Sequence, residues 1–263
     1  MTSRRPSTAA GKANLLVKAV RFARSQGIRL TLYRVVRRLI GICRLHKMLR
    51  LCCVDVFAAS VSELKCHGRI PRAFQVRPAR EEELPQLGPY FENPERVRDR
   101  VQRGAVCTIT VAGEEICAGL WLSFGPNQHA EDRADVGCVF RFPEGVAWSF
   151  DGKGTRWGAW GALMARLPEY LKKQGIREVF LMIECDNRES LDGHRSSGYR
   201  RVGRVFSLRI LWPWLCLWKP EGGSWRRLPG QIGNLRLSRD VDESFVATPR
   251  GETEESPVPV EAT

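Results

Sequence analysis

The sequence predicts an α/β fold, and three observations carry that reading. From Phe74 onward, strand-like and helix-like apolar periodicities alternate along the chain. A β-hairpin is written into Val106 to Val111 and Glu115 to Phe124, turned at Ala112-Gly113. Residues 146–198 then read as a strand, a glycine-rich turn, a long helix, a second strand and a second helix. The 263 residues are 43% hydrophobic and 27% charged, which suffices for a core and excludes collagen-like, low-complexity and small disulfide-framework classes.

The elements are justified in order. Residues 1–11 read as a disordered arm. Asn14 to Ser25 places Leu15, Leu16, Ala19, Val20 and Ala23 at helical spacing, and Gly27 breaks it. Leu30 to Leu45 is a second helical stretch, with Val35, Val36, Leu39, Ile40 and Ile42 apolar and Arg34, Arg37, Arg38 and Arg44 basic. Leu49 to Ser60 reads as a strand and residues 65–72 as a linker. Phe74 to Pro78 is a short strand and Glu81 to Phe91 a helix. Pro94 to Arg103 is a helix capped by Asn93, with proline in the first turn. Gly125 to Asp135 reads as a polar loop. Val136 to Arg141 and Val146 to Asp151 are strands. Arg156 to Gln174 is the longest helix, closed by Gly175 in a left-handed cap. Glu178 to Glu184 is a strand. Asp186 with Glu189 predicts a capping box for a helix ending near Gly198. Val202 to Leu211 is a final strand pair or one bent strand, and periodicity fades beyond Trp225. The expected organisation is a basic N-terminal extension over 1–72, a domain over 73–215, a Trp-rich segment over 216–237 and an acidic tail over 238–263.

Charge follows these divisions. Residues 1–72 hold 16 basic and 2 acidic residues, 73–237 hold 24 and 20, and 238–263 hold 2 and 7. The net charge of +13 therefore belongs to the N-terminal segment. No apolar run approaches the about 20 residues that a membrane-spanning helix needs. Arg21, Arg24, Arg29 and Arg34 interrupt the apolar stretches, so no signal-peptide core forms. Nine cysteines without framework spacing then read as reduced thiols in a cytoplasmic protein.

The chemistry is concentrated between Val146 and Gly203. The first turn of a helix has unpaired N–H groups and a positive dipole end, so the turn leading into Gly158, Ala159 and Gly161 suits a phosphate anion. Arg156 opens this turn, Gly161 is its second small position, and Asn187, Ser190 and Gly198-Tyr199 follow downstream. In order and spacing these residues resemble the GNAT superfamily of acyl-CoA N-acyltransferases. The resemblance covers about Phe74 to Leu211 and departs at Ala159, in place of a glycine, and at His194, in place of a tyrosine. Trp157 and Trp160 are bulky neighbours expected to narrow the cofactor channel.

The resemblance implies a mixed, mostly antiparallel sheet flanked by helices, with the basic helical segment appended at the N-terminus. It implies acetyl-CoA as co-substrate, no metal, and an amine acceptor of unspecified class. Phe150, Asp151, Arg156, Trp157, Gly158, Ala159, Trp160, Gly161, Asn187 and Ser190 are the implied cofactor-binding residues. His194 is the expected proton donor to the leaving thiolate. Asp151 and Glu184 are the candidates for removing the amine proton, and Trp121, Phe140 and Trp148 for walling the acceptor pocket. A second reading is an acyl-CoA-binding or scaffolding module of the same fold without turnover.

Cys43, His46, Cys52, Cys53, Cys66 and His67 are close in sequence but lack paired metal-ligand spacing, and read as thiols. No nucleic-acid recognition module is written in the chain. An anionic membrane surface is a candidate partner for residues 12–50. The expectation drawn from the aromatic run Trp212, Trp214, Trp218 and Trp225 is that the aliphatic face of the basic helices docks there, leaving the arginines in solvent.

Overall fold

The centre of the structure is the strand with its longest buried run. Leu49–Ser60 (β1) has eight consecutive buried residues from Cys52 to Ala59, as expected of a strand covered on both faces. This computed structural model describes residues 27–43, 49–65, 73–91, 93–130, 136–210, 214–228 and 233–237. The helix expected at Asn14 to Ser25 and the tail 238–263 lie outside them, as does most of the linker 65–72.

The remaining elements follow in chain order. Helix α1 (Ile28–Ile42) precedes β1. After β1 come β2 (Gln75–Pro78), a single 3-10 turn at Glu81–Glu83, α2 (Leu84–Tyr90) and α3 (Pro94–Gln102). The hairpin is β3 (Val106–Ala112) and β4 (Glu115–Phe124), followed by β5 (Asn127–Ala130), β6 (Cys138–Phe142) and β7 (Val146–Gly154). Helix α4 (Ala159–Lys173), β8 (Glu178–Glu184), α5 (Arg188–Ser196) and β9 (Arg200–Ile210) complete the central unit. The chain then adds β10 (Trp214–Pro220), β11 (Arg226–Arg227) and β12 (Gly233–Arg236).

The fold is the expected mixed, mostly antiparallel sheet flanked by helices. Nine strands run in the order β11-β10-β9-β1-β8-β7-β4-β3-β2, and a second sheet runs β12-β6-β5. Parallel pairing occurs at β7–β8 and at β6–β12. Strand β1 lies between β8 and β9 and pairs antiparallel with both, so α5 carries the chain across it. Residues 49–60 of the basic N-terminal segment are thus inside the sheet of the following domain. One buried charge stabilises that insertion: Asp55 accepts both Nε and Nη2 of Arg204 on β9, at 2.7 and 2.8 Å. Left unpaired, so deeply buried a carboxylate would be costly.

Helices α4 and α5 cover one face of the large sheet through Leu163, Leu167, Leu171 and Leu191, against Phe57, Ala59 and Val179. The small sheet and α2–α3 cover the other, with Phe140, Phe142, Leu87, Phe91 and Val97 against Val54, Val56, Trp121 and Trp148. Three expectations change here. The polar loop after Gly125 contains β5, which pairs with β6 from Asn127↔Phe142 to Ala130↔Val139. The chain beyond Trp225 regains order in β11 and β12, because Leu235 and Leu237 are buried in the core. The tryptophan run forms β10, whose Trp218 is buried and lies over Gly203, while Trp214 lies against Gly137. Trp214 and Trp218 pack into the seam between the two sheets, Trp225 is exposed beyond β10, and Trp212 is outside the described residues.

The packing of α1 is the reverse of that expected. Arg37 donates to both carboxylate oxygens of Glu184 at 2.7 Å, and Arg34 reaches the carboxylate and the carbonyl of Asp186, each at 2.8 Å. The Tyr33 hydroxyl accepts the N–H of Cys53 at 3.2 Å, and Ile40 is buried. Ion pairing at the end of β8 therefore turns two arginines inward, and the aliphatic face points outward.

Candidate functional site

Strands β7 and β8 stay in parallel register only from Val146↔Glu178 to Trp148↔Phe180. Beyond that point β7 follows β4 and β8 follows β1, so the sheet divides. A bulge on β7 accompanies the split. Phe150 pairs with Trp121 and Lys153 with Gly119, so Asp151 and Gly152 share the space opposite Leu120. Asp151 sits at φ 51, the one non-glycine residue with a positive φ among the described residues. Its carboxylate accepts Arg100 Nη2 at 2.8 Å, and both side chains are buried. The Arg100 guanidinium also lies 5.3 Å from the Trp121 ring and 5.1 Å from Phe150.

The split opens a cleft of about 980 Å³. Ser149 to Gly152 form one wall, and Leu181 to Glu184 form the other. Trp160, Gly161 and Met164 of α4 line one end, while Asn187, Ser190 and His194 of α5 line the opposite side. At the start of α4, Gly158 adopts φ 79 and serves as N-cap. The first i→i−4 bond runs from Ala162 N–H to Gly158 O at 2.9 Å, so the N–H groups of Trp160 and Gly161 precede the helical ladder. No acidic residue occupies this first turn, and a Cβ added at Gly161 would meet only open space. These features fit a phosphate-bearing ligand.

The expected site residues divide into two groups. Phe150, Asp151, Trp160, Gly161, Glu184, Asn187, Ser190 and His194 all line the cleft. Arg156, Trp157, Gly158 and Ala159 do not. The Ala159 side chain is fully buried in the core under α4, so its Cβ does not crowd the turn. Trp157 is 93% exposed and leaves the channel clear. Trp160 does narrow it, packed where a Cβ on Gly152 or Gly154 would otherwise stand. Arg156 is drawn aside by Glu115 at 3.7 Å and lies over Phe74. Trp121, Phe140 and Trp148, expected as pocket walls, are core residues; Phe140 stacks on Trp148 at 4.5 Å. The six side chains weighed as metal ligands gather into no such group among the described residues, and His46, Cys66 and His67 fall outside them.

Both candidate carboxylates are paired with arginines, Asp151 buried and Glu184 partly exposed at the end of β8. Asp151 is held by Arg100 and Glu184 by Arg37. The helix cap also differs by one residue from the capping box expected at Asp186: Asn187 accepts the N–H of Ser190 at 3.3 Å. His194 is half-covered, with its ring edge-on to Tyr199 at 5.3 Å. Its Nδ1 lies 2.7 Å from the Ser190 carbonyl oxygen and 3.3 Å from Ser190 Oγ. A carbonyl can only accept, so Nδ1 carries the proton and Nε2 carries the lone pair. Burial pulls the imidazole pKa down from its ordinary value, outweighing the carbonyl bond that pulls it up. The Nδ1–H bond leaves Nε2 as the acceptor nitrogen of the neutral ring.

Sequence reasoning missed Arg100, Arg34 and Arg37. A signal for Arg100 existed: it follows Val97 by three residues, on the buried face of an amphipathic helix. Burial pushes the Cys52 and Cys107 thiols up to about 12, which keeps these two protonated.

No protein-family model matches the chain. No curated protein matches it either. Solved structures do resemble it. A glucosamine N-acetyltransferase region of a fungal multi-domain beta-N-acetylglucosaminidase is 14% identical at a TM-score of 0.44, covering 64% of this chain and 22% of that one. A GCN5-related N-acetyltransferase from Anabaena variabilis is 8% identical at 0.40, covering 81% and 66%. An aminoglycoside acetyltransferase from an uncultured soil sample is 16% identical at 0.35, covering 49% and 90%. This chain spans less than two thirds of the length of the first of these. At such scores none of the likenesses assigns an activity to it.

Proposed function

We propose that this protein transfers an acyl group, most simply acetyl, from coenzyme A to an amine. The observation that carries the reading is the parting of β7 from β8 after Trp148 and Phe180, beside a bulge at Asp151 and the N-terminal turn of α4. Such a slot admits an extended thioester between two strands and offers its phosphates the first-turn N–H groups of Trp160 and Gly161. The bulge takes backbone groups of β7 out of the ladder beside the slot, where they can polarise the thioester carbonyl.

In this reading the acceptor nitrogen attacks the thioester carbon, a C–N bond forms and the C–S bond breaks. His194 Nε2 accepts the proton released by the amine and returns it to the departing thiolate. The ring is held for this by its Nδ1–H bond to Ser190. Arg100 fixes the Asp151 turn, and Asn187 fixes the start of the helix that carries His194.

The test is turnover of acetyl-CoA against a library of amino sugars, protein amines and small amine metabolites, with product masses read. An acetylated product supports the reading. Specific acetyl-CoA binding without product from any acceptor favours a second one, a binding module. The observation favouring that alternative is that Asp151 and Glu184, the two candidate bases, are both paired with arginines.

A further inference from the structure

Eleven large hydrophobic side chains are exposed among the described residues, and six of them stand on α1: Ile28, Leu32, Val35, Val36, Leu39 and Ile42. At helical spacing they fall within an arc of roughly 120°. Ile28 is 78% exposed and Ile42 70%, so the stripe is open along the whole helix. The opposite side of α1 is the docked one, through Arg34, Arg37, Tyr33 and Ile40. A helix that packs on a core by its polar side and offers its aliphatic side to the outside needs a separate reason for that stripe.

Charge identifies the partner. The first 50 residues hold 13 Lys and Arg and no Asp or Glu. A second copy seated on this face would bring two such segments together and set like charges against each other. Residues 1–26 of the same chain, which carry six of these 13 and no acidic residue, would likewise set like charges against each other. An anionic surface with an apolar layer beneath it complements both properties at once.

We propose that the outer face of α1 lies on an anionic phospholipid bilayer. The helix rests flat in the interface, its Leu, Ile and Val side chains enter the boundary below the headgroups, and exposed Arg38 meets the phosphates. Because Arg37 binds Glu184 on the cleft wall, the bilayer then lies about one helix diameter, roughly 10 Å, from the cleft. The proposal is independent of the acyl-transfer reading and is tested without it.

The experiment is flotation of the full-length chain with vesicles of phosphatidylcholine alone or with about 30% phosphatidylserine. The intact protein is expected to float with the anionic vesicles, less so as salt rises. The paired change Leu32→Glu and Leu39→Glu, at exposed positions, is expected to lower the bound fraction about tenfold or more. Arg38→Glu is expected to weaken binding by a smaller factor and provides an arm that leaves the stripe intact. Absence of flotation by the intact chain overturns the proposal, as does equal flotation of the paired variant. A solution dimer that the paired variant dissociates, with no vesicle binding by either form, overturns it in favour of a second copy.

Discussion

Arg100 on α3 donates from Nη2 to the Asp151 carboxylate at 2.8 Å, across the core face of the sheet, with both side chains buried. The pair joins a helix from early in the chain to the residue at which β7 departs from regular strand geometry. Its position makes it a support for the cleft, because Asp151 must hold a left-handed backbone that most side chains avoid.

Removing one partner of this pair should cost more than removing both. Arg100→Met is expected to destabilise the fold by about 3 kcal/mol, since it strands a buried carboxylate. The double change Arg100→Met with Asp151→Asn should recover part of that loss. Urea denaturation of the two variants measures the difference, and equal losses would show that the pair is not coupled.

At Gly161 the open space around an added Cβ means that a larger side chain should fold. Gly161→Glu places a negative charge in the first turn of α4, where the dipole and N–H groups are suited to anions. Acetyl-CoA affinity, read by calorimetry, should fall by about tenfold or more. Undiminished affinity in the folded variant would remove the turn from the site.

His194→Phe should lower acetyl transfer by roughly 10²-fold if Nε2 takes the amine proton. On the same reading, transfer by the native protein should persist to a lower pH than an ordinary imidazole of pKa 6.5 allows, because burial depresses its value. Stability has the same sign. The unfolded chain protonates first as pH falls, so the contribution of His194 is complete above about 6.5 and is lost as pH drops through that value toward the lower folded one. A pH–rate profile and pH-dependent denaturation of native and His194→Phe proteins check both statements.

Gly203→Ala tests the tryptophan seam. A Cβ at this position would overlap the ring of buried Trp218 and approach the Lys219 carbonyl at 2.6 Å. Overpacking of this kind should cost about 1–3 kcal/mol. Thermal unfolding reads it, and Gly222→Ala, whose Cβ meets nothing but which strains φ 72, gives the backbone cost for comparison.

The sequence by itself determined the local elements. Proline after Asn93 marks the start of α3, Gly175 at φ 72 ends α4, and the mainly apolar stretch from Cys52 to Ala59, broken only by Asp55, makes β1. These follow from steric rules and short-range periodicity, which are written within a few residues. It also placed eight cleft-lining residues between Phe150 and His194, since strand, turn and helix bring them together within one contiguous stretch. What only the tertiary structure decided depends on distant partners. Nothing near Leu49 says that β1 will enter between β8 and β9, and nothing near Asp151 or Glu184 says that Arg100 or Arg37 will claim them. The outward stripe of α1 is the sharpest case. Periodicity shows that a helix has an aliphatic face and a basic face, but the carboxylates at Glu184 and Asp186, about 150 residues away along the chain, decide which of them meets the protein.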